Sequence, residues 1–452
     1  MSESTSASKP SDLANPGETH GPIGLIVLGS IVGGLILGLI LVLVVFAGAG
    51  EPVITGAALI SLACGMLTLF ALSGRRTDQP QQWALGPAVG LGVVGIALIA
   101  LTPSDHVGLL GWVWPPLLGL LVVWSVRRAR RSLRNWSRRA LLYPALVILG
   151  LIALGGAFET VAETTTSNSP SAGRTYLVDG HRLYLNCVGS GSPTLVLFNG
   201  LGERTPNWAW VQREVAPETR VCTYDRAGQG WSGDAPERQD GHELAADLHE
   251  LLSAAHVPGP YVLAGHSVGG TYALIYAMDF PKETAGVALI DSASPYQFDL
   301  PDYPGFYSLW RRVSALLPSL ARAGIPRLTS GLSFTGLPAD ARHQARALAS
   351  SPREFGADRD EFAELPTVFD QAKTLTTLGR KPLFVLSADL GQQSGWFAAQ
   401  NKLASLSANS VHQTTHGATH AALLEDRSVS SATSRAIRDV VRAVRSGAAI
   451  GR

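Results

Sequence analysis

A serine set among glycines, Gly265-His266-Ser267-Val268-Gly269-Gly270, follows directly on the apolar run Tyr261-Val262-Leu263-Ala264 and runs straight into an apolar helical stretch, Thr271 to Phe280. A hydroxyl is a weak nucleophile at its ordinary pKa. Chemistry at Ser267 therefore requires a base, a group that orients the base, and fixed donors for the charge that develops. A strand-to-helix turn this sharp lifts the serine clear of the chain and leaves no room for side chains at Gly265 and Gly269. The pattern Gly-x-Ser-x-Gly is weak evidence in a chain with 48 glycines. Its position between a strand and a helix is what makes it specific.

The elements that must hold this turn begin near Tyr176. Short apolar runs recur at Leu183 to Cys187, Thr194 to Phe198, Val221 to Tyr224, Tyr261 to Ala264, Val287 to Ile290, Leu383 to Leu386 and Ser410 to Thr414. Helical patterns such as Glu243 to Ala255 lie between most of them, so a largely parallel sheet with crossover helices is the economical fold. The chain from Tyr176 and the run at Leu183 to Cys187, joined by Asp179-Gly180, read as a hairpin of the first two strands.

Two further segments complete a resemblance. Asn199-Gly200-Leu201-Gly202 follows the third strand, and Thr223-Tyr224-Asp225-Arg226-Ala227-Gly228-Gln229-Gly230-Trp231-Ser232 follows the fourth. Together with the serine turn, and in this order, they resemble the α/β-hydrolase superfamily over about Tyr176 to Val444. The resemblance implies an α/β fold: an eight-stranded, mostly parallel sheet with helices on both faces and a helical cap. It makes Ser267 the nucleophile. The loop at 199–202 resembles the family's oxyanion loop, with Asn199 where histidine is usual, so the backbone amides of Leu201 and Val268 are the expected donors. Asp225 and Arg226 are expected to be a structural ion pair or loop staple.

In this fold the histidine follows both serine and acid in the chain. His412, His416 and His420 lie late enough, and His420, ahead of Ala421-Ala422-Leu423-Leu424, fits the family pattern best, with His416 next. The acid follows the sixth or the seventh strand. Asp291 ends the sixth; Asp389 follows the seventh but comes early, with Gly391 in the usual place. Asp291 is preferred and Asp389 is the alternative. The second and fourth strands are neighbours in this fold, which brings Cys187 and Cys222 together as a disulfide if the domain faces an oxidising compartment. Ser292 to Lys381 resembles the family's cap. Tyr307, Leu309, Trp310, Val313, Leu316 and Leu317 are expected to form an amphipathic helix whose apolar side covers the serine.

The first third of the chain is of another kind. Apolar stretches at about 22–48, 53–73, 84–101, 107–126 and 140–161 each approach the roughly 20 residues needed to cross a bilayer, and Glu159 is the one Asp, Glu, Lys or Arg among them. Arg75 and Arg76, and the arginine-rich connection Arg127 to Arg139, belong on the cytoplasmic side. Five spans then place a tail of residues 1–21 inside and everything after Val161 outside. No span carries a buried carboxylate, histidine or lysine that would mark an ion path, so the region reads as an anchor, followed by a linker at 163–174 and the hydrolase domain at 175–452 with its cap at 292–381.

With 36 basic and 35 acidic residues, nothing calls for a nucleic-acid partner. No metal or cofactor motif is present. The expected protein is a membrane-anchored extracytoplasmic serine hydrolase acting on a small hydrophobic ester or acyl substrate. An inactive hydrolase-like receptor and a serine peptidase on the same fold are the alternatives. A carboxylate nucleophile, as epoxide or haloalkane hydrolysis on this scaffold requires, is not what stands at 267.

Overall fold

The computed structural model describes residues 23–101, 111–132, 142–166, 172–235 and 238–451. The tail before Ile23, the expected start of the fourth span near Val107, most of the basic connection at 133–141 and the linker residues 167–171 lie outside them.

Five helices come first: α1 (Ile23–Ile40, continued by the π-helical Leu41–Val45), α2 (Glu51–Arg76), α3 (Leu85–Leu101), α4 (Trp114–Ser132) and α5 (Tyr143–Thr166). Four of them, all but α4, are long and apolar enough on their own to cross a membrane. The last turns of α4 carry arginines, including Arg130 and Arg131. One cluster joins Ile23, Leu69, Ala84, Ala129 and Leu142, so the starts of α1, α3 and α5 meet the ends of α2 and α4. At the other end Thr160 Oγ1 donates to Gly111 O at 3.1 Å, beside the start of α4. The helices therefore alternate in direction, α4 included, and their arginines gather at the end remote from Glu51 and Glu159.

Small residues set the helix spacing. A Cβ on Gly56 would lie 2.6 Å from Gly95 O, and one on Gly95 would lie 2.7 Å from Gly56 O, so α2 and α3 meet backbone to backbone. Gly34 and Gly38 abut Ser61, whereas Gly33 faces open space.

The rest of the chain is built on β1 (Arg174–Val178), β2 (His181–Val188), β3 (Thr194–Phe198), β4 (Val221–Asp225), β5 (Tyr261–His266), β6 (Thr284–Ile290), β7 (Leu383–Leu390) and β8 (Ser410–Thr419), in the order β1-β2-β4-β3-β5-β6-β7-β8. β1 and β2 are antiparallel to their neighbours and the rest run parallel. Strands β3, β4 and β5 are buried along their whole length, as strands covered on both faces must be. One face packs on α7 (Gly241–Ala254) and α8 (Val268–Asp279), the other on α6 (Ala209–Val215) and the late helix Arg427–Ser446. A capping box starts α7: Asp240 accepts from His242 N and Glu243 N while Glu243 bonds back to Asp240 N.

Between β6 and β7 the cap comprises α9 (Tyr303–Ser314), α10 (Leu317–Arg322), α11 (Ile325–Thr329), α12 (Ala339–Leu348) and α13 (Pro352–Ala372). Two expectations are corrected here. Leu309 and Trp310 face outward from α9, and the inward side is aromatic, with Tyr307 on Phe298 and Phe362. The apolar stretches were expected to hold no buried carboxylate, yet Glu159 is buried in α5, as is Glu51 at the start of α2, and both bind the cap, Glu51 to Arg322 and Glu159 to Arg327. A bare carboxylate in such surroundings is costly, and a two-pronged guanidinium is the partner that relieves it.

Candidate active site

Ser267 sits between β5 and α8 with φ 55° and ψ −130°. A non-glycine residue holds this conformation only where its surroundings enforce it. Here Ser267 N donates to Ile290 O at 3.1 Å and Ser267 O accepts from Ala293 N at 2.9 Å, tying the turn to the end of β6. The glycines follow from contact distances. A Cβ on Gly265 would lie 2.3 Å from Gly269 O, and one on Gly269 would lie 2.3 Å from Phe198 O. The N–H of Val268, first in α8, has no intrahelical acceptor. Leu201 lies in the loop after β3, and a Cβ on its neighbour Gly200 would come 3.0 Å from Ser267 Cβ, so loop and serine are adjacent.

His420 follows β8, and its Nδ1 bonds Asp291 Oδ2 at 2.6 Å. The carboxylate of Asp291 is fully buried, while the imidazole is 44% exposed. Three more donors converge on Asp291: Gln392 Nε2 at 2.9 Å, Trp396 Nε1 at 3.0 Å and Ala388 N at 3.1 Å. Burial works against ionisation, but the His420 hydrogen bond and charge, with Gln392, outweigh it and hold this carboxyl below its ordinary range. An acceptor-only carboxylate at Nδ1 keeps the proton there and leaves Nε2 as the basic nitrogen. Asp389 bonds the exposed His416 at 3.0 Å and Gly417 N at 2.8 Å, away from His420. Among the described residues Ser267 Oγ makes no hydrogen bond; in substrate-free enzymes this contact is often long and closes on binding.

Several residues around the site escaped the sequence reading. His266, beside the serine, is buried, with Nδ1 on Glu203 Oε1 at 2.5 Å and Nε2 on the carbonyl of His420 at 3.1 Å. Beside an ionised Glu203 both partners accept, so both ring nitrogens donate and the geometry favours the imidazolium form of His266. Burial disfavours that charge, yet Glu203 overrides it and raises the imidazole pKa. Glu203 also accepts from Gly200 N at 2.6 Å, and so couples the loop after β3 to the ring that bonds the His420 carbonyl. Nearby, burial and the charge of Glu203 push Glu425 up to about 7.

The sign of the resulting pH dependence is fixed. A histidine whose folded pKa is raised adds stability below its ordinary value of 6.5, lost as pH rises through the folded value. A carboxyl raised to about 7 adds a penalty that grows as pH climbs from its ordinary 4.5. We therefore expect these groups to lower the melting temperature as pH rises from about 6, and Glu203→Gln to flatten that fall; calorimetry across that range checks it, and an unchanged slope would refute the ion pair.

Asp225 and Arg226 do not pair with each other. Asp225 accepts from Thr205 N at 2.8 Å and Trp231 N at 3.2 Å, a staple between two loops. Arg226 reaches Asn199 O at 2.6 Å and Gly200 O at 3.1 Å, and grips Glu361 of α13 at 2.7 and 2.9 Å. Tyr272 of α8 donates to the same Glu361 at 3.0 Å. The loop after β3, the serine helix and the cap thus share one buried network. Cys187 and Cys222 are directly opposite in the β2–β4 ladder and form a disulfide. A cavity of about 360 Å³ lined by His249, His256, Tyr261 and Glu283 lies at the far end of β5 from Ser267 and plays no part here. Among the described residues no group of His, Cys, Asp and Glu is placed to hold a metal ion.

Known proteins resemble the chain in sequence and in fold. It is 31% identical over 121 residues to the uncharacterized protein YqjL of Bacillus subtilis (strain 168), covering 26% of this chain and 48% of that one. It is 37% identical over 105 residues to the dihydrolipoyllysine-residue acetyltransferase component of the acetoin cleaving system of Pseudomonas putida, covering 23% and 28% respectively. The chain spans less than half the length of these relatives. Among solved structures, the Cif epoxide hydrolase from Acinetobacter nosocomialis matches with a TM-score of 0.51 at 14% identity, over 64% of this chain and 96% of that one, a likeness of fold. A family model described as alpha/beta hydrolase fold matches residues 193–426, more than half of the chain. By that match, and by its eight-stranded sheet with a serine at the β5–α8 turn, the chain belongs to the α/β-hydrolase fold family.

Proposed function

We propose that the protein is a serine hydrolase that cleaves carboxylic esters through an acyl-enzyme on Ser267, with His420 as general base and Asp291 as the acid that orients it. The observation that carries this reading is the 2.6 Å bond from the buried Asp291 to His420, at the strand ends that also hold Ser267. His420 Nε2 takes the proton of Ser267 Oγ as the oxygen attacks the ester carbonyl, and the oxyanion falls to the N–H groups of Val268 and Leu201. Nε2 then protonates the leaving alkoxide, and water repeats the sequence on the acyl-enzyme. The arginines at the far end of the helices favour a cytoplasmic position for that end, and so an extracytoplasmic hydrolase domain.

A fluorophosphonate probe tests the proposal on the full-length protein in detergent. Labelling should require Ser267, and Ser267→Ala should lower ester turnover about 10⁶-fold. Absence of labelling in folded protein would favour a non-catalytic binding module. Cleavage of peptide substrates in preference to esters would move the enzyme to the peptidases.

A further inference from the structure

We infer that the outer face of the cap lies in the bilayer interface, and that the site draws a lipid ester from that leaflet. The second half rests on the hydrolase reading above; the first does not.

The cap is fastened to one end of the membrane helices at several points. Arg327 grips Glu159 of α5 with bonds of 2.6 and 2.7 Å. Arg322 grips Glu51, the first residue of α2, with both prongs. Arg311 Nη1 donates to Gly48 O at 3.2 Å, and Ser319 meets Thr55 at 3.0 Å between hydroxyls. Ala315 is buried against Val42, Ile54 and Ala57. Gly155 leaves room for the backbone of Ala323, since a Cβ there would lie 2.1 Å from the carbonyl oxygen.

Around these fastenings the cap is apolar where it is exposed. Trp310, 39% exposed, adjoins Arg311, whose partner Gly48 follows the exposed Val45 on the lipid-facing side of α1. Leu328, 77% exposed, adjoins Arg327, whose partner Glu159 is next to the exposed Phe158 on α5. Phe306 stacks on Trp310, and Leu309 and Ile325 are open as well. Exposed apolar side chains thus stand beside these joints on the helices and on α9 and α11 of the cap. An aromatic, leucine-rich face with arginines beside it, held at the end of membrane-spanning helices, is the composition of an interfacial surface. In water the same face would be an unsatisfied apolar patch.

The opposite side of this cap bears on the site. Tyr307 of α9 stacks on Phe362 of α13, and the adjacent Glu361 binds Arg226, which holds the carbonyls of Asn199 and Gly200 in the loop after β3. Glu354 and Asp358, also on α13, clamp Arg204 of the loop. One layer of cap therefore separates the lipid-facing surface from the reacting atoms. A substrate with its acyl chain in the leaflet and its ester at the interface fits that arrangement.

The test uses the full chain reconstituted in vesicles of phosphatidylethanolamine and phosphatidylglycerol. Cysteine is introduced as Leu328→Cys in a Cys64→Ser background and labelled with a bimane. Its emission should be shielded from aqueous iodide about tenfold relative to a label at the exposed Asp340→Cys; equal quenching would overturn the bilayer placement. The Leu309→Glu/Leu328→Glu variant should turn over a vesicle-embedded diacylglycerol about tenfold more slowly and p-nitrophenyl acetate at an unchanged rate. No loss on the embedded ester, or an equal loss on both, would overturn the route. Failure of the wild-type protein on both esters and on fluorophosphonate would sink the hydrolase reading, and the bimane result would still decide the bilayer placement.

Discussion

Asp291→Asn should lower kcat about 10⁴-fold, while Asp389→Asn leaves it within about twofold. The reason lies in the proton on His420. An asparagine keeps the shape of Asp291 but offers a neutral amide where the carboxylate accepts at 2.6 Å, so the imidazole loses its anionic partner and can settle in the tautomer whose Nε2 carries the proton. That tautomer is no base for Ser267. Ala388 N and Trp396 Nε1, which both donate to Oδ1, would hold the side chain in place with its amide nitrogen toward His420, which makes the loss one of chemistry and not of folding. Asp389 is bound to an exposed histidine that contacts nothing in the site, and exposed pairs contribute little. Steady-state turnover of a soluble ester, with the rate of fluorophosphonate labelling beside it, measures both variants. A large loss in Asp389→Asn with Asp291→Asn intact would reverse the assignment.

Arg226→Met should damage stability and turnover together, by about 3–5 kcal/mol of unfolding free energy and about 10²–10³ in kcat. The methionine leaves Glu361 buried without its countercharge, facing Tyr272 and Gln229 alone. It also frees the carbonyls of Asn199 and Gly200, which fix the direction in which Leu201 N points. The two effects separate in Arg226→Met/Glu361→Leu. Removing both charges takes away the desolvation penalty and should restore most of the stability, whereas the loop stays untethered and turnover stays low. Thermal unfolding and kcat on the same preparations distinguish them; recovery of both together would mean that Arg226 acts through folding alone.

The parts of the site that could be read from the chain are those written locally. Ser267 declares itself because strand, tight turn and helix are contiguous, and the glycines at 265 and 269 sit where backbones nearly touch. His420 and Asp291 could be nominated because chain order on this scaffold follows strand order. What could not be read are the pairs whose members lie far apart: Glu203 with His266, Arg226 with Glu361, Trp396 with Asp291, Arg327 with Glu159. A lone glutamate or arginine carries no mark of its distant partner. The pattern of α9 shows the same limit. Spacing announced an apolar side at Leu309 and Trp310, but periodicity does not say whether protein or lipid covers it. Glu51 stands between two apolar stretches with nothing in the sequence to mark it as buried, and it is buried because Arg322 comes down from the cap to meet it.

Those two carboxylates bear on how the protein must be handled. Severing the chain between α5 and β1 would yield a fragment whose sheet, turn and disulfide are complete, yet whose arginines at 322 and 327 have been stripped of their counterions and whose greasy underside has lost its solvent. Such a fragment is a catalytic domain by sequence but half of a folded interface by physics, and detergent or lipid would be part of its native state.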